Sequence, residues 1–178
     1  MRFTIEETVE HPREEVYQAY RDHLVDLVPQ LPNVDAIDVL ERHEVPGGVQ
    51  LVNRWRIHGS IPRTVRPFFK TDRLSYLDHA SWIDAEHHVE WRFELGVFPD
   101  AVKCEGVNYF RDRGEGVAEV AFTGVVEIDL ARVRGVPRFF RKLNDKVEAF
   151  LIERLRPNLQ AVTRAVSAFV DERRRAGE

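Results

Sequence analysis

The sequence predicts an α+β fold in which a curved antiparallel sheet of about seven strands wraps around a long C-terminal helix. Residues 137–175 repeat apolar side chains at spacings of three and four, as one face of an amphipathic helix does. Several segments between residues 35 and 130 instead alternate apolar and polar side chains, which is typical of half-buried strands. The connections between these segments are short, so neighbouring strands are expected to run antiparallel.

The N-terminal part of the chain supplies one strand and two helices. Arg2–Val9 alternates apolar and polar side chains and is predicted to be the first strand. A helix is expected next, because Pro12 suits a first helical position and Glu14 and Glu15 suit the positive end of the helix dipole. Proline residues close a second short helix, which is predicted over Leu24–Leu31.

Six further strands are predicted from the alternation and from the turn residues that separate the segments. The run Pro46-Gly47-Gly48 lies between the first two of them and is a strong hairpin signal. The predicted strands span Asp35–Val45, Val49–Ile57, Leu74–Ile83, His87–Leu95, Ala101–Arg111 and Val117–Leu130. The long helix is expected to start at Pro137 and to bend near Pro157, which removes one backbone hydrogen bond.

Length and composition favour one domain spanning residues 1–178. The chain has 178 residues, of which 43% are hydrophobic, enough to form a sizeable core. Its single cysteine, Cys104, excludes an internal disulfide bond. The sequence contains neither an apolar leader segment nor an apolar run long enough to span a membrane, so we expect a cytoplasmic protein.

The net charge of −4 conceals an asymmetry along the chain. Residues 1–50 carry 4 basic and 11 acidic side chains, whereas residues 132–178 carry 12 basic and 6 acidic ones. The basic segment either meets an anionic partner or forms a solvated helix face opposite the acidic half, and both interpretations stay open. An acidic chain without a continuous basic face is not expected to bind nucleic acid.

The usual motifs of metal, nucleotide and covalent chemistry are absent. His87 and His88 are adjacent and would point to opposite faces of a strand, and the sequence has no helical pair of histidines, so no metal site is expected. The serines lie outside any nucleophile elbow, and Cys104 falls in a strand-like run typical of a core residue. Without a phosphate-binding glycine motif, we expect no cofactor and assign no catalytic residue.

Three polar residues interrupt strand faces that are otherwise apolar. Asn53 lies between Leu51 and Trp55 on one face, and Asp78 and Asn108 occupy similar positions on later strands. A buried polar group needs a hydrogen-bond partner, either in the protein or in the polar group of a ligand. The sequence is compatible with both.

The order of elements resembles the helix-grip fold of the START-like, or SRPBCC, superfamily, in which the sheet and the C-terminal helix enclose an apolar cavity. Three stretches look like the PRELI-like lipid-transfer proteins of that superfamily. They are HPREEVYQAY from His11, LPNVDAIDVLERHEVPGGVQLVNRW from Leu31 and EAFLIERLRPNLQAV from Glu148. Cyclase/aromatase-like and coenzyme Q-binding-like members have similar outlines.

The resemblance implies a single START-like domain that binds or carries a hydrophobic, lipid-like small molecule between the sheet and the C-terminal helix, without catalysing a reaction. The residues expected to contact the ligand are Asn53, Trp55, Tyr76, Trp91, Phe93, Cys104, Asn108, Phe122 and Leu151. The alternative is an enzyme of the polyketide cyclase/aromatase or hydratase kind. The same cavity would then use Asn53, Asp78, His87 or Asn108 to position and protonate the substrate. A third alternative is an interaction module with a filled core.

Two segments combine aromatic and basic side chains, and the resemblance implies that both lie near the mouth of the cavity. Their candidate membrane-facing residues are Arg66, Phe68, Phe69, Arg138, Phe139 and Arg141. One interpretation is weak, reversible docking on an anionic membrane surface. The other is that the phenylalanines are core residues and the arginines a solvated rim.

Overall fold

The computed structural model describes residues 1–58, 73–96, 101–132 and 144–177. Its strands, numbered in chain order, are β1 (Arg2–Val9), β2 (Val34–Val45), β3 (Gly48–His58), β4 (Arg73–Ile83), β5 (His88–Leu95), β6 (Val102–Gly114) and β7 (Val117–Ile128). Its α-helices are α1 (Arg13–Asp22), α2 (Leu24–Leu27) and α3 (Asn144–Ala176). Short 3-10 turns cover Val28–Gln30 and Leu130–Arg132.

The described strands form one seven-stranded sheet in the order β1-β7-β6-β5-β4-β3-β2. Every neighbouring pair is antiparallel, as the short connections require. The sheet is curved and the long helix α3 packs against it, which confirms the predicted α+β fold. The β2–β3 hairpin turns at Pro46 and Gly47, and the positive φ of 83° at Gly47 is one that glycine adopts without steric cost.

One face of the sheet, which we call the inner face, packs against the helices. Alternate residues of each strand point to it, so the apolar members of the alternation form the core. The fully buried side chains include Ile5 from β1, Val120 and Phe122 from β7, and Val166 from α3. The buried residues divide into two clusters, one at each end of the inner face.

Polar contacts fix α1 to the turn between β4 and β5. The Tyr17 hydroxyl donates to Asp84 Oδ1 over 3.0 Å, and Arg21 Nη1 donates to the same oxygen over 2.6 Å. The Tyr17 ring meets Trp82 edge-on, with 5.2 Å between ring centroids. These contacts place α1 over one end of the inner face, where the second half of α3 also packs.

Helix α3 is continuous through Pro157, and its apolar stripe faces the sheet as predicted. The predicted start at Pro137 lies outside the described residues, and the bend at Pro157 stays a prediction. Among the described residues, no helix combines the length and apolar character that crossing a membrane requires.

The structure differs from the sequence prediction at several element ends, and strand β6 continues to Gly114 rather than ending at Arg111. His87 does not start β5 but lies in the preceding turn with a φ of 48°. The segment predicted as one helix over Leu24–Leu31 is a four-residue α-helix followed by a 3-10 turn, since Pro29 cannot supply the backbone N–H that a longer helix needs. Strand β7 ends at Ile128 rather than Leu130, which begins the second 3-10 turn.

Candidate functional site

Two regions of the inner face differ in their side chains, and we name them by their residues. The packed end consists of Val16, Tyr17, Tyr20, Leu27, Trp82, Phe110, Val120, Phe122 and Val166. The Asp78 site consists of Asn53, Trp55, Tyr76, Asp78, Phe93 and Cys104, on four adjacent strands. The second region contains the polar groups and the aromatic rings that a ligand site would use.

Strand register brings the residues of the Asp78 site together. Asn53, Asp78, Phe93 and Cys104 lie opposite one another in a single row across β3, β4, β5 and β6. The next row pairs Trp55 with Tyr76. Directly opposed residues of antiparallel strands have Cβ atoms about 4.5–5.5 Å apart, so the side chains of each row are in contact range.

Asp78 is the centre of this site. The side chain is buried, with 8% of the residue exposed, and its Oδ1 atom has no hydrogen-bond partner among the described residues. Burial raises the pKa of Asp78 from its ordinary 3.8 to about 6, and nearby Asn53 and Trp55 oppose part of that increase. Trp55 Nε1 is itself without a partner at hydrogen-bond geometry, so the indole lies near the carboxyl group without forming a regular bond. The site therefore holds an unpaired acceptor beside an unpaired donor.

Aromatic rings surround the carboxyl group on the inner face. Trp55 and Tyr76 are stacked, with 5.9 Å between centroids and 7° between ring planes. Phe93 continues the group, 4.8 Å from the Tyr76 ring and 4.7 Å from Trp91. Burial, followed by the charge of Asp78, raises the pKa of Tyr76, so its hydroxyl keeps its proton at neutral pH.

Trp91 lies across two glycines of the neighbouring strands. A Cβ atom added at Gly106 or at Gly124 would approach Cζ2 of the Trp91 indole to 2.6 Å or 2.9 Å. The indole Nε1 donates to Asn108 Oδ1 over 2.8 Å, which gives the Asn108 amide oxygen a partner within the protein. Asn108 therefore orients Trp91 through its amide oxygen.

Cys104 is a buried free thiol next to the aromatic rings. Burial, assisted by the charges of Glu105 and Asp78, raises its pKa to about 12. Since the thiolate is the nucleophilic form, Cys104 acts here as a small apolar side chain.

Two further residues expected to contact a ligand, Phe122 and Leu151, lie outside the Asp78 site. Phe122 belongs to the packed end, where its ring is 6.3 Å from Tyr20. Leu151 lies on α3 and packs against the cluster formed by Trp91, Cys104 and their neighbours. The candidate membrane-facing residues, Arg66, Phe68, Phe69, Arg138, Phe139 and Arg141, all lie outside the described residues.

His87 does not join the polar groups of the inner face. The backbone of His87 is left-handed, so its side chain does not follow the alternation of β5. The Nε2 atom of His87 lies 2.8 Å from Glu14 Oε2 on α1. Its ring packs edge-on against Tyr17. The expectation that His87 could act on a substrate in the cavity depended on a strand that includes it, whereas β5 begins at His88. Within the described residues, no three acidic, histidine or cysteine side chains are arranged to hold a metal ion.

Five of the six residues of the Asp78 site are among the expected ligand contacts, which stay a prediction, and sequence reasoning missed two features of this region. The alternation placed Asp78 on the inner face without revealing that one oxygen would lack a partner, and Asp78 was not among the expected ligand contacts. Sequence reasoning also did not predict that Gly106 and Gly124 lie beneath the Trp91 indole. The available signal was two glycines at inner positions of consecutive predicted strands, whose pairing depends on register.

Comparisons with known proteins support the fold. No protein-family model and no curated protein matches the sequence. Among solved structures, TTHA0849 from Thermus thermophilus is 21% identical with a TM-score of 0.68, over 94% of this chain and 98% of that one. The Zhui aromatase/cyclase from Streptomyces sp. R1128 is 15% identical with a TM-score of 0.69, over 99% and 97%.

A START superfamily protein from Mycobacterium smegmatis is 13% identical with a TM-score of 0.52, over 96% of this chain and 97% of that one. Identities this low establish the fold and not the ligand or the reaction. The order of elements, the sheet topology and these likenesses agree, and the chain has the helix-grip fold of the START superfamily.

Proposed function

We propose that the protein binds a hydrophobic small molecule at the Asp78 site, between the sheet and the first half of α3. The observation that carries the proposal is that partly buried aromatic rings lie beside two buried polar atoms, Asp78 Oδ1 and Trp55 Nε1, that lack partners among the described residues. Leaving a buried polar group unpaired costs about 1–3 kcal/mol. A ligand that pairs these atoms recovers part of that cost on binding.

The apolar surface of the site suits the body of such a ligand. The Tyr76 and Phe93 rings are in contact, and Leu151 and Leu155 of α3 pack, as Phe93 does, against the cluster that contains Trp91 and Cys104. Burial of apolar surface contributes roughly 25 cal/mol per Å² to the binding free energy, so contacts with a few aromatic rings favour binding of an apolar ligand. A small number of polar groups then orients the molecule.

Native mass spectrometry of gently purified protein tests the proposal directly. We expect a small molecule to remain bound, and we expect calorimetry on solvent-extracted protein to detect binding of naphthalene. Phe93→Ala and Tyr76→Ala should weaken both signals. Tyr20→Phe, which changes a buried tyrosine of the packed end, is the matched control and should leave both unchanged. If the parent protein holds no small molecule and shows no heat with naphthalene, the proposed function is wrong.

A lipid-like ligand and its carriage between membranes extend this proposal. The support comes from the sequence, in the PRELI-like stretches and in the aromatic and basic segments around Phe68 and Phe139. Co-sedimentation with vesicles tests it. We expect salt-sensitive binding to anionic but not zwitterionic vesicles, reduced by Arg138→Glu combined with Arg141→Glu. Equal binding to both vesicle types would remove membrane docking from the proposal. The cytoplasmic location also stays a prediction.

One observation favours a second candidate function, acid–base catalysis on a bound ketone substrate. Burial raises the pKa of Asp78 to about 6, near the pH at which a carboxyl group can both take up and release a proton. Tyr76 is a neighbouring neutral hydroxyl. An Asp78 carboxylate that removes an α-proton would promote enol formation and closure of a linear diketone, in which a carbon–carbon bond forms and water leaves.

Absorbance of the cyclic enone product would follow this reaction. We expect Asp78→Asn to abolish any enzyme-dependent rate while leaving naphthalene binding intact. A parent protein that binds a linear diketone and returns it unchanged would exclude this second function and leave the binding function in place.

A further inference from the structure

The two unpaired polar atoms of the Asp78 site have complementary hydrogen-bonding roles. Asp78 Oδ1 is an acceptor, and Trp55 Nε1 can only donate. Asp78 in β4 lies opposite Asn53 in β3, and Trp55 follows Asn53 by two residues on the same face of β3. Both unpaired groups therefore belong to the same small area of the inner face. The indole is close enough to lower the pKa of the carboxyl group, although the two do not form a regular hydrogen bond.

Few functional groups can satisfy both atoms at once. An ammonium group donates but cannot accept from the indole, whereas a ketone or an ether accepts but cannot donate to the carboxylate. A ligand carboxylate would place a second negative charge beside Asp78 in a desolvated position. A hydroxyl group has one donor hydrogen and two acceptor lone pairs, so it can donate to the Asp78 oxygen and accept from the Trp55 indole at the same time.

We infer that the ligand carries an uncharged hydroxyl group that donates to Asp78 Oδ1 and accepts from Trp55 Nε1, with its apolar body against Tyr76 and Phe93. This inference rests on the proposed binding function and names the chemical class of ligand. The other groups near the carboxyl are consistent with a neutral ligand. Tyr76 and Cys104 both keep their protons at neutral pH, since burial raises the pKa of each.

The packed end supplies a control for the role of the indole. Trp82 is also a buried tryptophan of the inner face, and its Nε1 also lacks a hydrogen-bond partner among the described residues. Its ring neighbours are Tyr17 and Phe110, and it lies outside the Asp78 site. Trp82→Phe therefore removes an unpaired indole N–H as Trp55→Phe does, without touching the proposed hydroxyl site.

Calorimetry with matched pairs of compounds tests the inference on the full chain. The first pair is β-naphthol and its methyl ether, and the second is decanol and its methyl ether. Each ether retains the apolar body but loses the donor hydrogen. We expect the parent protein to bind at least one alcohol about tenfold or more tightly than its ether, because a hydrogen bond to a charged group contributes more than one between neutral groups. The pair with the larger ratio identifies an aromatic or an aliphatic ligand body.

Substitutions then assign the preference to the two residues. Asp78→Leu should reduce the alcohol-to-ether affinity ratio to about one. Trp55→Phe should weaken the alcohol and its ether alike, because both oxygens accept from the indole N–H. Asp78→Asn keeps an acceptor oxygen and should give an intermediate ratio, and it also serves as the readout if Asp78→Leu fails to fold. Trp82→Phe should keep the parent affinities for both the alcohol and the ether.

Several outcomes would overturn the inference. Equal binding of alcohol and ether by the parent protein would show that no hydroxyl is recognised, while leaving the binding function intact. A ratio that is unchanged in Asp78→Asn, or an alcohol affinity that is unchanged in Trp55→Phe, would place the hydroxyl elsewhere. Failure of naphthalene and of all four compounds to bind would overturn both this inference and the proposed function.

Discussion

At the packed end of the inner face, the Tyr20 hydroxyl forms a 2.8 Å hydrogen bond with Thr163 Oγ1, and the Thr163 hydroxyl donates to the Leu159 carbonyl oxygen over 3.0 Å. At the Asp78 site a buried carboxyl oxygen has no such partner among the described residues. Both polar groups interrupt apolar surfaces of the same core. A polar residue on an apolar face is structural when the fold supplies its partner. An unpaired group is a candidate for ligand binding where a second unpaired group and partly exposed rings lie beside it, as at the Asp78 site but not at Trp82 of the packed end.

The aromatic rings of the two regions also pack differently. In the packed end Tyr17 meets Trp82 and Phe110 edge-on, at 5.2 Å in each case, and helix α1 covers the rings. At the Asp78 site Trp55 and Tyr76 are nearly parallel and are only partly buried. Edge-on rings under a helix form a closed core, whereas partly exposed parallel rings leave surface for another apolar molecule.

The sharpest test of this comparison introduces a charge into each region. Val166 on α3 is fully buried in the packed end, while Leu151 on the same helix is only partly buried. Val166→Asp should prevent folding, because an unpaired buried carboxylate costs several kcal/mol of a total stability of about 5–15 kcal/mol. Leu151→Asp should cost much less. Urea denaturation followed by circular dichroism measures both. Equal losses would mean that the two regions are packed alike.

A second test concerns the cost of the Asp78 carboxylate. Burial raises its pKa from 3.8 to about 6, so the folded state holds this proton more tightly than the unfolded chain does. The stability of the protein therefore falls as the pH rises through this interval, and the full penalty applies above pH 6. At about 1.4 kcal/mol per pKa unit the penalty is about 3 kcal/mol.

Asp78→Asn removes the charge with little change in shape. We expect it to increase the free energy of unfolding by about 3 kcal/mol near pH 8 and by close to zero near pH 4, while weakening preference for a hydroxyl ligand. Urea titrations of parent and variant at several pH values give the difference directly. A difference that does not change with pH would show that the carboxyl group is hydrated in solution, which would weaken the contrast between the two regions.

A third test addresses the glycines beneath Trp91. A Cβ atom at Gly106 would collide with the Thr123 carbonyl oxygen and lie 2.6 Å from the indole, whereas at Gly124 the nearest atoms are 2.9 Å away. Gly106→Ala should therefore destabilise the protein by about 1–3 kcal/mol and displace the indole, and Gly124→Ala should cost less. Thermal unfolding measures the order. The reverse order would contradict the described position of Trp91.

The smallest expected effect is at the satisfied polar pair of the packed end. Tyr20→Phe removes the hydroxyl that bonds Thr163 and should lower stability by about 0.5–1.5 kcal/mol without affecting ligand binding. Denaturant titration and calorimetry with naphthalene measure the two quantities separately. A loss of binding in this variant would show that the ligand also reaches the packed end.

The fold could be predicted from the sequence because its determinants are local. The alternation of Val120, Phe122 and their neighbours reports which side of β7 is buried, and the Gly47 turn sets the β2–β3 pairing. The position of His87 in a turn was not predicted, because its left-handed backbone is uncommon for a residue other than glycine. The alternation of apolar and polar residues does not indicate such a conformation.

The candidate site could be predicted only in part, for a different reason. The pattern places Asp78 and Asn108 alike on the inner face, but their hydrogen-bond partners come from other strands. Asn108 meets the Trp91 indole across the sheet, whereas Asp78 Oδ1 meets no partner among the described residues. Whether a buried polar group is satisfied depends on the positions of several strands together, and periodicity along one strand carries no information about it.

The distribution of tryptophan gives the molecule a useful optical property. The chain has three tryptophans, Trp55, Trp82 and Trp91, and the alternation of β3, β4 and β5 directs all three to the inner face. Tryptophan emission from this protein therefore arises entirely from the side of the sheet that faces the helices. Trp82 reports on the packed end, Trp55 on the Asp78 site, and Trp91 on the cluster beneath the first half of α3. A change in emission when a compound is added is thus a signal from the interior and not from the outer surface.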